Sequence, residues 1–114
     1  MKFRSAHPAL LAASVAALLF STMAGAAVDE TAAEALSKKS NCTKCHSVDK
    51  KKDGPSFKVT AAKYKGKADG EAKVFKHITT GPKIKIDDVE EDHQIVKSKD
   101  DAEIKNLINY ILSR

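Results

Sequence analysis

An all-α domain follows from two apolar rhythms and one short motif. From Asp100 to Ser113, Ile104, Leu107, Ile108, Ile111 and Leu112 recur at helical spacing, the mark of a helix that buries one face. From Glu71 to Thr80, Val74, Phe75 and Ile78 make a shorter apolar stripe that Gly81-Pro82 brings to a stop. Ahead of both stands Cys42-Thr43-Lys44-Cys45-His46, without the preceding strand or βαβ context that a thioredoxin-like redox pair needs.

Taken in order, the chain begins with an export leader. Lys2 and Arg4 form a positive start, Ala9 to Phe20 an apolar core, and Ala24-Gly25-Ala26 a small-residue cleavage site. The apolar run is short for a bilayer span and its right-hand flank is small and neutral, which argues against a retained membrane anchor. Cleavage after Ala26 leaves 88 residues, 27–114, enough for one domain but short of a large core of its own. Asp29 or Thr31 is placed to cap a first helix over about Ala32 to Asn41, with Ala32, Ala35 and Leu36 as its apolar stripe. Gly54-Pro55 is a turn signal. Phe57 to Tyr64 reads as a small helix, with lysines recurring between its apolar positions, and Phe57 and Tyr64 as pocket or core residues. Gly66, Asp69 and Gly70 break the chain before the Glu71–Thr80 helix. Gly81 to Lys99 reads as a loop, and Asp100 with Glu103 as an aspartate-led capping box for the last helix. That helix is expected to cross the first and frame the site.

Cys-x-x-Cys-His is the attachment sequence of a c-type haem. The two intervening residues form a tight turn that brings both sulfurs to one porphyrin edge, where each thiol adds across a vinyl group. His46 then falls beneath the ring as an iron ligand. The carbonyl of Pro55, if presented near His46, accepts the imidazole Nδ1 hydrogen and fixes the ligating tautomer; otherwise Gly54-Pro55 is a plain surface turn. A Cys42–Cys45 disulfide, or a zinc site built from Cys42, Cys45, His46 and a remote histidine, are the competing uses of the same residues. A covalent haem supplies the centre that so short a chain otherwise lacks.

The mature chain carries 18 basic and 15 acidic side chains, and two haem propionates bring the balance near +1. With no basic helix and no repeated aromatic platforms, nucleic acid is excluded as a partner. An exported protein also suits haem attachment, whose thiols are handled in an otherwise oxidising compartment.

In these landmarks the chain resembles the class I cytochromes c, and in particular the short bacterial cytochromes of the c-551/c-552 type. The likeness rests on Cys42 to His46, Gly54-Pro55, Ala61 to Tyr64, Gly70 through Gly81, and Asp100 to Ser113. It spans essentially all of the mature chain. It implies the compact class I fold around one covalent haem, with His46 as proximal ligand.

The family ordinarily places a methionine ahead of the last helix. Here the only methionines are Met1 and Met23, and the family's position falls close to Gln94, one residue from His93. His93 is therefore the expected sixth ligand, with Lys83, Lys85, asparagine or an open site as alternatives. His77 is expected to face solvent, because it lies off the centre of the Val74–Phe75–Ile78 stripe. Nitrogen in place of thioether sulfur favours ferric iron and lowers the potential.

The functional expectation is a periplasmic electron carrier, not an enzyme, exchanging single electrons with a redox-protein donor and acceptor. It is expected to act as a monomer or a small cytochrome heterodimer. Lys38, Lys39, Lys44, Lys50, Lys51 and Lys52 form a rim suited to an acidic partner, or else simply solubilise the domain. The alternative is a haem-based binder or sensor of small ligands with a displaceable or vacant sixth site. Catalysis is disfavoured, because one haem delivers one electron at a time and no pocket acid–base pair is evident.

Overall fold

A computed structural model describes residues 27–114; the expected leader lies outside the described residues. The elements in order are α1 (Glu30–Lys39), α2 (Cys42–Cys45), α3 (Phe57–Tyr64), α4 (Gly70–Thr80), β1 (Lys83–Ile86), β2 (Val89–Asp92) and α5 (Asp101–Leu112). Among the described residues no helix is long and apolar enough to cross a membrane.

The helix ends follow from their caps. Asp29 accepts the Ala32 N–H at 2.9 Å, so α1 starts at Glu30, ahead of the expected Ala32. It ends at Lys39 because Asn41 turns into the left-handed region (φ 61°) and opens a fresh single helical turn, α2. Ser56 caps α3 through the Val59 N–H. Gly81, also left-handed (φ 61°), closes α4.

At α5 the capping box is relayed. Asp100 accepts from the Ala102 and Glu103 N–H groups. The Glu103 carboxylate, however, accepts from the Ser98 hydroxyl at 2.6 Å, and Ser98 in turn accepts the Asp100 N–H at 3.1 Å. The sequence pattern predicts a direct return bond; the structure inserts a serine into it.

α1 and α5 pack together as the frame. Ala33 and Leu36 meet Ile104, Leu107, Ile108 and Ile111 in a core completed by Phe57, Val74, Ile78, Val96 and Tyr110. The start of α1 is clamped to α5 twice. Asn106 accepts the Asp29 N–H at 2.9 Å and donates back to the Asp29 carbonyl at 2.8 Å. Arg114 pairs with Glu30 at 2.7 Å while its guanidinium lies over the Tyr110 ring. Ile108 is fully buried, so Ile108→Ala should cost about 2–5 kcal/mol, a large share of what a domain of this size has. Chemical denaturation of the holoprotein, followed by helix content, measures it.

The segment read as a loop contains an antiparallel hairpin, so the all-α expectation becomes a helical domain with one two-stranded insertion. Lys83-Ile84-Lys85-Ile86 alternates with period two, which puts Ile84 and Ile86 half-buried on one face and the lysines in solvent. Asp87 and Asp88 take positive φ (48° and 66°), as a two-residue hairpin turn of the primed kind requires. Lys83 pairs across the strands with Asp92 at 2.8 Å, and Lys85 stands opposite Glu90. The acidic run is thus the partner strand of the basic one.

Candidate haem-binding site

The attachment motif is held open by its own backbone. α2 presents Cys42 and Cys45 on one turn, both as free thiols. Burial pushes the Cys42 thiol above its ordinary pKa, and a neutral, half-buried thiol resists premature oxidation. Among the described residues no group of three or more histidine, cysteine or carboxylate side chains converges on a metal-binding point, so the zinc alternative has no cluster to occupy.

The chain then folds back under His46. Gly54 donates its N–H to the Cys45 carbonyl at 2.8 Å, and Phe57 donates to Ser47 at 2.9 Å. This return brings the Pro55 carbonyl to 2.6 Å from His46 Nδ1. A carbonyl only accepts, so Nδ1 carries the hydrogen and Nε2 keeps its lone pair. Phe57 stacks on the far face of the imidazole at 5.7 Å between ring centroids and itself meets Tyr110 edge-on. A Cβ at position 54 would stand 2.6 Å from His46 Cε1. Gly54→Ala should therefore rotate His46 and break its bond to Pro55, costing roughly 1–3 kcal/mol and broadening or shifting the low-spin haem spectrum. An unaltered spectrum and denaturation midpoint would show that the close approach is dispensable.

Facing His46 is His93, placed by the end of the hairpin. The His93 N–H donates to the Pro82 carbonyl at 2.9 Å, and Val96 donates to Ile78 at 2.8 Å. The Lys97 N–H donates to the buried Ser40 hydroxyl at 2.9 Å, which ties this segment to the end of α1. Gly81 lies against it: a Cβ there would be 2.8 Å from the His93 carbonyl. His93 Nδ1 donates to the Gln94 carbonyl at 2.8 Å, leaving its Nε2 unprotonated too. Burial lowers the His93 pKa, the bond to Gln94 opposes that shift, and the nearby His46 charge reinforces it. The two rings stand 6.1 Å apart, centroid to centroid, at 49°.

Between them is a cavity of about 490 Å³, within the roughly 300–1,000 Å³ of small-molecule and cofactor sites. Its wall combines Cys42, Cys45 and His46 with Pro55, Phe57, Tyr64, Val74, Ile78, Ile84, Ile86 and His93. All the site residues expected from the sequence thus line one cavity. A flat, largely apolar macrocycle with two thioether tethers fits this donor set: two thiols, imidazoles in the cavity wall, and aliphatic side chains around them.

His77 is solvent-exposed, as expected, but it has a second neighbour. Its ring lies 4.3 Å from that of His93, in an edge contact, and lines the same cavity. The stripe on α4 serves two directions. Val74 and Ile78 turn to the cavity while Phe75 packs toward the core rim. On a helix, the cavity side then extends to the flank that His77 occupies. Ile84 and Ile86 were also missed as pocket residues; the signal was the period-two alternation of the lysine–isoleucine run.

The cytochrome c family model matches residues 30–114. Among solved structures, the class 1 cytochrome MtoD from Sideroxydans lithotrophicus ES-1 is 53% identical, covering 76% of this chain and 97% of that one, with a TM-score of 0.72. Wild-type cytochrome c552 of Nitrosomonas europaea is 34% identical, covering 70% and 96%, with a TM-score of 0.56. Cytochrome c-551 of Pseudomonas denitrificans is 50% identical over 50 residues, a stretch that is 44% of this chain and 61% of that relative. The match therefore spans about three fifths of that curated protein's length. With the fold, the cavity beside the attachment motif and these likenesses in agreement, the chain belongs to the class I cytochrome c family, of the c-551/c-552 kind, and its cofactor is a covalently attached haem c.

Proposed function

We propose that residues 27–114 form a periplasmic one-electron carrier whose haem is tethered by Cys42 and Cys45 and ligated by His46 and His93. The observation that carries this is the pair of imidazoles facing across 6.1 Å, each with its Nδ1 hydrogen committed to a backbone carbonyl and its Nε2 free. With metal–nitrogen bonds of about 2 Å, two imidazoles on opposite sides of one metal place their centroids roughly 6–6.5 Å apart. Haem, when bound, supplies the one-electron ferric/ferrous couple.

The protein's part is to hold and tune. Pro55 and Gln94 fix the tautomers and raise the basicity of both nitrogens. Two nitrogen donors favour the ferric state and lower the potential relative to histidine–methionine ligation. Phe57, Ile84 and Ile86 keep water off the ring faces. Of the lysine alternatives for the sixth ligand, Lys83 is engaged by Asp92, whereas Lys85 lines the cavity but must lose a proton before it can ligate. Lys38, Lys39, Lys44, Lys50, Lys51 and Lys52 are all exposed around the motif and form the rim for an acidic donor or acceptor, so electron exchange with such a partner should slow as salt rises.

Residues 1–26 are read as the export leader. The recovered protein should begin at Ala27, carry one haem mass through denaturation, and give the pyridine spectrum of a two-thioether haem. Low-temperature electron paramagnetic resonance with near-infrared magnetic circular dichroism on the ferric protein tests the ligand pair. Two-nitrogen low-spin signals are expected; a sulfur signature or a high-spin resting state would overturn it.

A further inference from the structure

We propose that His77 is a reserve axial ligand, poised to take the distal position on iron whenever His93 leaves it. The proposal rests on the His46–His93 reading above and extends it to a second imidazole of the same cavity.

The geometry is specific. His77 sits 4.3 Å from His93, ring to ring, and shares the cavity wall with Val74 and Ile78, its neighbours on α4. Reaching the space that the His93 ring fills requires a shift of about the distance that separates the rings. A change of χ1 rotamer moves a histidine ring by roughly 4–5 Å without moving the backbone. The two rings are held differently. His93 hangs from a non-helical segment after the hairpin, fixed by its own bonds to Pro82 and Gln94. His77 is carried by an eleven-residue helix closed by a left-handed glycine, and the ring tethers found among the described residues belong to His46 and His93. His77 is thus a ring without a side-chain tether on a helical base, beside a ring that is tethered.

Competition from other donors favours it. Lys85 also lines the cavity, but from an exposed position on β1, whereas the His77 ring is in edge contact with the His93 ring. With haem bound, the exchange would replace one iron–nitrogen bond, from His93, by another, from His77, with no electron or proton transferred.

The experiment compares ferric holoproteins at pH 7 by electron paramagnetic resonance: parent, His77→Ala, His93→Ala and the double variant. The expectation is that His77→Ala keeps the parent signal and His93→Ala stays low-spin with two nitrogen donors but displaced g-values. The double variant should become high-spin. Exogenous imidazole added to His93→Ala should produce no spin-state change, a readout that holds even if the double variant does not accumulate. A high-spin His93→Ala protein that imidazole converts to low-spin overturns the reserve role while leaving His93 as the native ligand. A parent-like signal in His93→Ala with a changed one in His77→Ala overturns the native assignment itself. A double variant that stays low-spin overturns the proposal by assigning the reserve role to another donor such as Lys85.

Discussion

His46→Ala is expected to leave almost no correctly matured low-spin holoprotein. The substitution removes the imidazole that follows directly on α2, the acceptor role of the Pro55 carbonyl and the stacking partner of Phe57 in one step. Loss of a supporting hydrogen bond to a metal ligand typically costs 10–100-fold in metal affinity; loss of the ligand itself should exceed that. The effect also reaches stability. Phe57, Val74, Ile78 and Ile111 belong to the core cluster and also line the cavity, so without a well-seated macrocycle they lack a packing partner on that side. Haem per protein from the pyridine spectrum, read beside helix content, measures both. A normal yield with an unchanged low-spin spectrum would mean that another residue is the proximal ligand.

His93→Met is expected to raise the reduction potential, by on the order of 0.1 V within the roughly 0.8 V that axial ligands span, provided that sulfur reaches iron. The sign follows from thioether sulfur favouring ferrous iron. The hairpin sets the condition. His93 is fixed by its N–H bond to Pro82, and its carbonyl lies against Gly81, so a methionine inherits a defined backbone but loses the Nδ1 bond to Gln94. Protein-film voltammetry gives the shift, and a sulfur-to-iron charge-transfer band in the near infrared shows whether the thioether has bound. With that band present, a fall in potential would contradict the two-nitrogen description of the parent.

Much of this protein was legible in one dimension because its chemistry is local. Cys42, Cys45 and His46 are neighbours, so one helical turn suffices to set the attachment edge, and the sequence names it. The four longer helices also follow from local features: a capping aspartate or serine at Asp29, Ser56 and Asp100, an apolar stripe, and a stopping glycine at Gly81. Even Pro55 as the acceptor of the His46 hydrogen was open to inference, since only nine residues separate them. The absence of a methionine beyond Met23 pointed to a nitrogen ligand, and the family resemblance pointed to the segment around His93.

What only the tertiary structure decided involves partners distant in sequence or direction. The lysine–isoleucine run is too short to declare itself a strand until the acidic run folds across it, with Lys83 against Asp92 and two aspartates at positive φ. Whether His93 faces His46 depends on bonds from Pro82, Ile78 and Ser40, none of which a periodicity can reveal. The contact of the exposed His77 with His93 was not foreseen for a related reason. A helical wheel gives one apolar direction, but α4 borders both a core and a cavity. Burial against haem and burial against helix α5 are different faces, and sequence spacing alone cannot tell which one a flanking histidine joins.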